Sequence, residues 1–528
     1  MARSLTTGSP WRVILAFSVP LLIGNVVQQL YQVIDAIVVG RHLGVDALAA
    51  VGATGSLLFL LLGFAWGLTS GFAIPTAQAF GARDYAAVRR SVAAGTILTA
   101  IASVILSCAP LLAGPALTLL QTPAELMAEA TVFTQISFLG AGAMMAFNYL
   151  AAIIRAIGDS RTPLVFLTIA CALNVVLVIV MVGPLGWGVG GAALATVVSQ
   201  AVSVLLCLEF VRRRVPVLHL RRADWRVALS GALPRRVASK PASGNQDGRV
   251  TRADLAEHLR LGLPMGFQAS IIAIGTLVVQ IALNRLGADA VAAYTTASRV
   301  DGLAVALLQS LGLAASMYAA QNLGARRPDR IRRGVVQAIW MAVASAVVLG
   351  ILLIAFGTPI VRLFVGEGSE QVVEMATRML HINGYTYTAL AVLFVLRGVL
   401  QGLGSTIIPT VTGVVELAMR VGAAVVLGHV LGYLGVVWSN PLAWIGAVFI
   451  LAPAYVRAHR ELARMPVDPD EPTLTTPIAV VGPRDGSMVV DAVVTTQSIP
   501  LPQQSATDLV APARHRRRGT ARAKRRTR

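Results

Sequence analysis

The chain has 528 residues, 56% of them hydrophobic and only 13% charged, a balance that excludes an ordinary water-soluble domain. Its formal charge of +19 lies mostly in arginine runs between apolar segments and at the C-terminus, so it does not mark a nucleic-acid-binding protein. Cys108, Cys171 and Cys207 share no metal or redox spacing, and there is no P-loop, GxSxG or HExxH motif, so no enzyme chemistry, cofactor or metal is expected.

In chain order, apolar runs predict twelve helices near 13–39, 46–78, 89–113, 126–155, 162–183, 188–211, 258–285, 289–322, 331–357, 371–401, 406–428 and 434–457. Each reaches the roughly 20 residues that cross a hydrocarbon core of about 30 Å. The first run is too long for a cleavable signal peptide, and no small-residue cleavage site follows it. The expected organisation is an N-terminal six-helix bundle (1–211), a cytoplasmic linker (212–257), a C-terminal six-helix bundle (258–457) and a tail (458–528). The tail is rich in Pro, Thr, Val and Asp without helical periodicity and ends in RHRRRGTARAKRRTR, so it is expected to be mostly disordered. That basic end is either simply solvated or held against anionic lipids. The three cysteines fall in apolar spans, as small packing residues do.

The two bundles repeat one another. Pro20 matches Pro264, the turn Leu43-Gly44-Val45-Asp46-Ala47 matches Leu286-Gly287-Ala288-Asp289-Ala290, and AQAFGARD from Ala77 matches AQNLGARR from Ala320. The offset stays between 243 (Gln78 to Gln321) and 246 (Pro163 to Pro409). A duplicated polytopic chain is the usual build of a secondary transporter, with substrate handled between the halves. Arginines gather after the second, fourth, sixth and eighth spans, while the loops near 114–125, 183–188 and 428–434 have no Lys or Arg, with Arg41, Arg285 and Arg362 as scattered exceptions. The positive-inside rule then places both termini in the cytoplasm and the chain in the plasma membrane as a multi-pass protein.

In the first span Asn25, Gln28, Gln32 and Asp35 recur at helical steps with Tyr31 beside them, a polar face inside an apolar segment. An ionised Asp there costs roughly 2.5–3.5 kcal/mol on insertion scales and is usually retained for function. Asp35 either exchanges a proton, binds sodium through hard oxygens, or makes a static bond between helices. The second half has Val278 or Val279 at the aligned position, so the halves are alike in fold and unlike in chemistry. Asn174, Thr196, Ser199 and Gln200 add polar groups to the fifth and sixth spans, as helix-joining groups or as ligands. Glu416 and Arg420, four apart in the eleventh span, are placed to pair along one face, with Glu416 as a second protonation site the sharper alternative. Arg299 and Asp301 in the eighth span, and Arg397 in the tenth, pose the same question. His381 and Tyr385 in the tenth span either line a substrate cavity or pack. Pro20 and Pro264 serve either as hinges or as tolerated kinks.

The pattern Pro20…Tyr31-x-x-x-Asp35…Gly40-x-x-Gly44, with Gln78-x-x-Gly81, Gly158-Asp159 before Pro163, and GVGGAALATVVSQ from Gly188, resembles the multidrug and toxin extrusion (MATE) transporters. The resemblance is to the bacterial branch related to the DNA-damage-inducible DinF proteins, and covers about 1–457. It implies an all-α membrane protein of twelve helices in two six-helix bundles forming a V-shaped cavity. It also implies export of cationic or amphipathic compounds in exchange for H⁺ or Na⁺. Carried over residue by residue, the family's cation-coupling positions fall on Tyr31, Asp35, Asn174 and Thr196. The acid usually found four residues after that Asn is Val178 here, and a cage with one carboxylate is a poorer sodium site. Proton coupling is therefore the expectation. Asn25, Gln28, Gln32, Gln200, His381 and Tyr385 are the candidates for lining the cavity.

Two other functions compete. A flippase for a lipid-linked cell-envelope precursor would be expected to present several arginines to its cavity, whereas most arginines here sit in loops. A membrane scaffold recruiting partners through its tail would not need the polar face of the first span. The expected partners are small organic compounds and the lipid bilayer.

Overall fold

The computed structural model describes residues 4–119, 123–220, 227–228, 249–365 and 370–466. The N-half comprises α1 (Pro10–Leu43), α2 (Val45–Gly81), α3 (Tyr85–Ser107), a short α4 (Ala113–Leu119), α5 (Met127–Leu139), α6 (Ala141–Ala156), α7 (Arg161–Val182) and α8 (Gly188–Arg214). The C-half comprises α9 (Arg252–Leu286), α10 (Ala288–Gly324), α11 (Pro328–Val365), α12 (Glu370–Gly402), α13 (Ile407–Leu431), a short α14 (Tyr433–Val437) and α15 (Ser439–Arg464). Among the described residues eleven segments are long and apolar enough to cross a membrane, and α5 with α6 makes a further span bent by 46°. The bend falls at Gly140, whose bare backbone packs directly under Val197 of α8. The chain is therefore an all-α polytopic membrane protein with the twelve spans that the sequence predicts.

Several ends differ from expectation because hydrophobicity marks only the part of a helix that lies in lipid. The sixth helix runs to Arg214 and the seventh starts at Arg252, where Thr251 and Asp254 form a capping box. The last helix continues to Arg464, so the expected tail boundary at 458 falls inside it. Between the halves, β1 (Val227–Ala228) and β2 (Val250–Thr251) form a two-residue parallel pair. The rest of the linker centre, and the tail beyond 466, lie outside the described residues.

The repeat has a backbone cause. Gly44 and Gly287, which join the first two helices of each half, adopt φ of 89° and 102° with ψ near 180°, a conformation open essentially to glycine. α1 and α9 both continue unbroken through their prolines, Pro20 and Pro264.

The halves meet along α2 and α9. Gly71 and Gly262 touch backbone to backbone, and a Cβ on Gly71 would stand 2.5 Å from the Gly262 Cα. Small residues let two membrane helices approach this closely. At the side of the basic loops a reciprocal clasp closes the seam. The Gln78 amide of α2 donates to the Gly402 carbonyl at the end of α12 (3.0 Å), and its repeat counterpart Gln321 of α10 donates to the Ala156 carbonyl at the end of α6 (2.6 Å). Gln321 also accepts from the Leu5 N–H at 2.9 Å, while Asn322 donates to the Leu5 carbonyl at 3.2 Å, so the chain's start is sewn into the same seam. Ser91 of α3 and His258 of α9 add a further bond across it at 2.9 Å.

Among the described residues, no hydrogen bond between the halves lies nearer the opposite side than Asn25–Ser310 (3.2 Å) and Ser270–Leu60 (3.5 Å). Val38, Val39, Phe133, Val178, Val182 and Val189 there form a core drawn from the N-half alone. The hydrogen bonds that join the halves are thus concentrated toward the basic side.

Candidate functional site

In the N-half, α1, α7 and α8 surround a small cavity lined by Tyr31, Ala170, Cys171, Asn174, Thr196, Ser199 and Gln200. Their positions follow from helical spacing: Thr196, Ser199 and Gln200 share one stretch of α8, while Asn174 faces them from α7. The Asn174 amide donates to the Thr196 hydroxyl at 3.1 Å, and Thr196 in turn reaches the Ala192 carbonyl at 3.3 Å. Asp35 follows Tyr31 by one turn of α1. Its Oδ1, the Asn174 Oδ1 and the Gln200 Oε1 are all buried without a hydrogen-bond partner. An unmet buried acceptor is costly inside a protein until a proton, a cation or a water molecule satisfies it; Asp35 lies one turn from the residues that line the cavity and is not itself among them. Val178, one turn after Asn174, is fully buried among valines, so α7 contributes no second carboxylate. Among the described residues there is no cluster of three or more His, Cys, Asp or Glu side chains able to hold a metal.

The remaining polar residues of α1 face elsewhere. Asn25 donates to Ser310 of α10 at 3.2 Å, so it joins the halves. Gln28 and Gln32 are exposed. Gln29, which the sequence reading passed over, points at Gly302 of α10. The polar face is therefore split between a ligand-like pair, Tyr31 and Asp35, and groups turned toward the other half or toward open space.

The C-half holds a second polar centre with different chemistry. Asp301 of α10 accepts from Asn383 (2.8 Å) and Tyr387 (2.6 Å) of α12, and the Tyr387 ring lies against Trp444 of α15. Arg299 is exposed and does not pair with Asp301. His381 and Tyr385 do not join this centre: His381 turns its Nε2 toward Gly357 of α11, and Tyr385 is 68% exposed. The inward pair is Asn383 and Tyr387, with the same four-residue spacing on another face of the helix.

The expected Glu416–Arg420 pair is corrected. Glu416 forms its ion pair across helices with Arg397 of α12, and both side chains are nearly fully buried. The i, i+4 spacing permits a contact along α13, but a guanidinium arriving from the neighbouring helix engages the carboxylate instead. Arg397→Met alone is expected to cost about 3–5 kcal/mol by stranding a buried carboxylate, whereas Arg397→Met with Glu416→Leu costs far less. Thermal unfolding of the purified variants in detergent checks this. A double variant as unstable as the single one would show that the side chains matter for shape and not for charge.

Comparison with known proteins adds to this geometry. The family model MatE matches residues 20–180 and 264–444, once in each half. The chain is 28% identical over 455 residues to "Probable multidrug resistance protein YoeA" of Bacillus subtilis (strain 168), covering 85% of this chain and 94% of that protein. A structure described as the outward-facing conformation of a multidrug resistance MATE family transporter of the MOP superfamily superposes with a TM-score of 0.77. The identity is 23%, and the match covers 88% of this chain and 99% of that one. A MOP superfamily transporter from Pyrococcus furiosus Vc1 (DSM3638), described by the reverse polarity of its binding pocket, also gives 0.77 at 23% identity, over 87% of this chain and 98% of its own.

Proposed function

This chain belongs to the MatE family, and from that premise we propose that it is a secondary active antiporter exporting organic, cationic or amphipathic compounds in exchange for H⁺. The observation that carries the coupling is the buried, donorless carboxylate oxygen of Asp35, one turn along α1 from Tyr31, which lines the cavity with Asn174, Thr196 and Gln200. A proton arriving at Asp35 converts an acceptor into a donor and relieves the mismatch; its departure restores it. The two states of Asp35 then favour different packings of α1 against α7 and α8, which is the differential affinity that coupling requires. Val178 supports H⁺ over Na⁺, because a sodium ion gains from a second carboxylate at that position. The arginine distribution supports a cytoplasmic basic side, so that the hydrogen bonds joining the halves gather toward the cytoplasmic end.

The relative reported above is named for multidrug resistance, in keeping with an exporter of small compounds and not with a lipid flippase. The test is dye movement in proteoliposomes of the full chain under a pH gradient or a sodium gradient imposed separately. Movement driven by the pH gradient alone is expected. Movement driven only by sodium would overturn the proton assignment, and movement under neither gradient would overturn the antiporter reading.

A further inference from the structure

The C-half buries two arginines, Arg397 and Arg420, and among the described residues only Arg397 is joined to an acid. Arg420 sits midway along α13 and is 7% exposed. The carboxylate one turn before it, Glu416, is engaged by Arg397. Asp301, the other acid of this region, is held by Asn383 and Tyr387. Tyr294 of α10 lies within electrostatic range of both Asp301 and Arg420, but its hydroxyl is bonded to Asn440 at 3.2 Å. Among the described residues the Arg420 guanidinium makes no hydrogen bond or ion pair, and its Nε is buried without a partner. Room for the group comes from α9, the C-half helix that forms the seam with α2. A Cβ at Gly275 would stand 2.7 Å from the Arg420 Nη1, so the guanidinium fits only because the backbone there is bare, with its Nη1 lying against α9.

A guanidinium withdrawn from water and left unpaired is strongly unfavourable. Its fork of N–H donors matches a planar carboxylate, which would restore the missing charge and hydrogen bonds together. We propose that Arg420 is the docking point for a carboxylate on the transported compound, so that the substrate is a zwitterionic amphipath and not a simple cation. This deepens the exporter reading and rests on it for the word "transported"; the binding itself does not.

The test is equilibrium binding to the full chain in detergent micelles, read by fluorescence anisotropy with no gradient imposed. Two probes share one cationic xanthene ring system: one carries a free carboxylate and the other is its ethyl ester. The wild type is expected to bind the acid at least about fivefold tighter than the ester. Arg420→Gln removes that preference by weakening the acid and leaves the ester within about twofold. Arg420→Lys, a point charge without the fork, keeps an intermediate preference. Equal wild-type affinity for acid and ester, or equal weakening of both probes in Arg420→Gln, overturns the proposal. If Arg420→Gln does not fold, the wild-type ratio and Arg420→Lys still decide. A chain that fails the gradient test can pass this one, and the reverse, so the two failures are distinguishable.

Discussion

Asp35→Asn is expected to reduce gradient-driven dye movement to the leak of protein-free liposomes, while dye binding at equilibrium changes by no more than about threefold. The substitution keeps the shape of the side chain and removes only its ability to gain and lose a proton. It also carries a permanent NH₂ donor where a protonated Asp35 carries its O–H, and so imitates the protonated state. Without two states at position 35, an ion gradient finds no conformation that it can favour. Retained gradient-driven movement in this variant would sink the coupling role. Retained movement with lowered thermal stability would assign Asp35 to a static bond between helices. The aligned positions in the other half, Val278 and Val279, cannot take over the task.

Much of the frame was legible in the sequence because it is a backbone matter. The glycines that need φ above zero, Gly44 and Gly287, recur 243 residues apart, and the Gln78 and Gln321 that clasp the halves share the same offset. What could not be read is which face of an apolar helix looks inward. In lipid both faces are hydrophobic, so the periodicity that orients a helix in water carries little information. That is why His381 and Tyr385 stood out by residue type while Asn383 and Tyr387, on another face of α12, bind Asp301. It also explains Glu416, whose true partner Arg397 is 19 positions away in sequence but adjacent across a helix interface. Tyr31, Asp35, Asn174 and Thr196 were carried over from a family pattern. Gln200 stood out by residue type, and only the folded chain shows that its oxygen and that of Asn174 lack donors beside one cavity.

Gly81→Val should have the second large effect, because it strikes the clasp where the backbones leave no room for a side chain. A Cβ at Gly81 would collide with the Gln321 carbonyl, and one at Gly324 with the Gln78 carbonyl, again a reciprocal pair. Neither obstacle is the movable end of a side chain, so the halves must separate at the basic side or the helices must shift. Overpacking of this kind costs about 1–3 kcal/mol, and occasionally more. Opening the seam also strands the bonds that Gln321 makes to Leu5 and Ala156, each loss costing about 1–3 kcal/mol where a buried group is left unmet. The expected signature is faster amide hydrogen exchange at the ends of α2 and α10 together, with slowed transport and retained dye binding. Gln321→Ala should give the same exchange pattern more weakly, since it removes the bonds without forcing the helices apart. Local exchange confined to α2 in Gly81→Val would mean that the helix frays by itself, and that closure of the seam does not depend on the clasp.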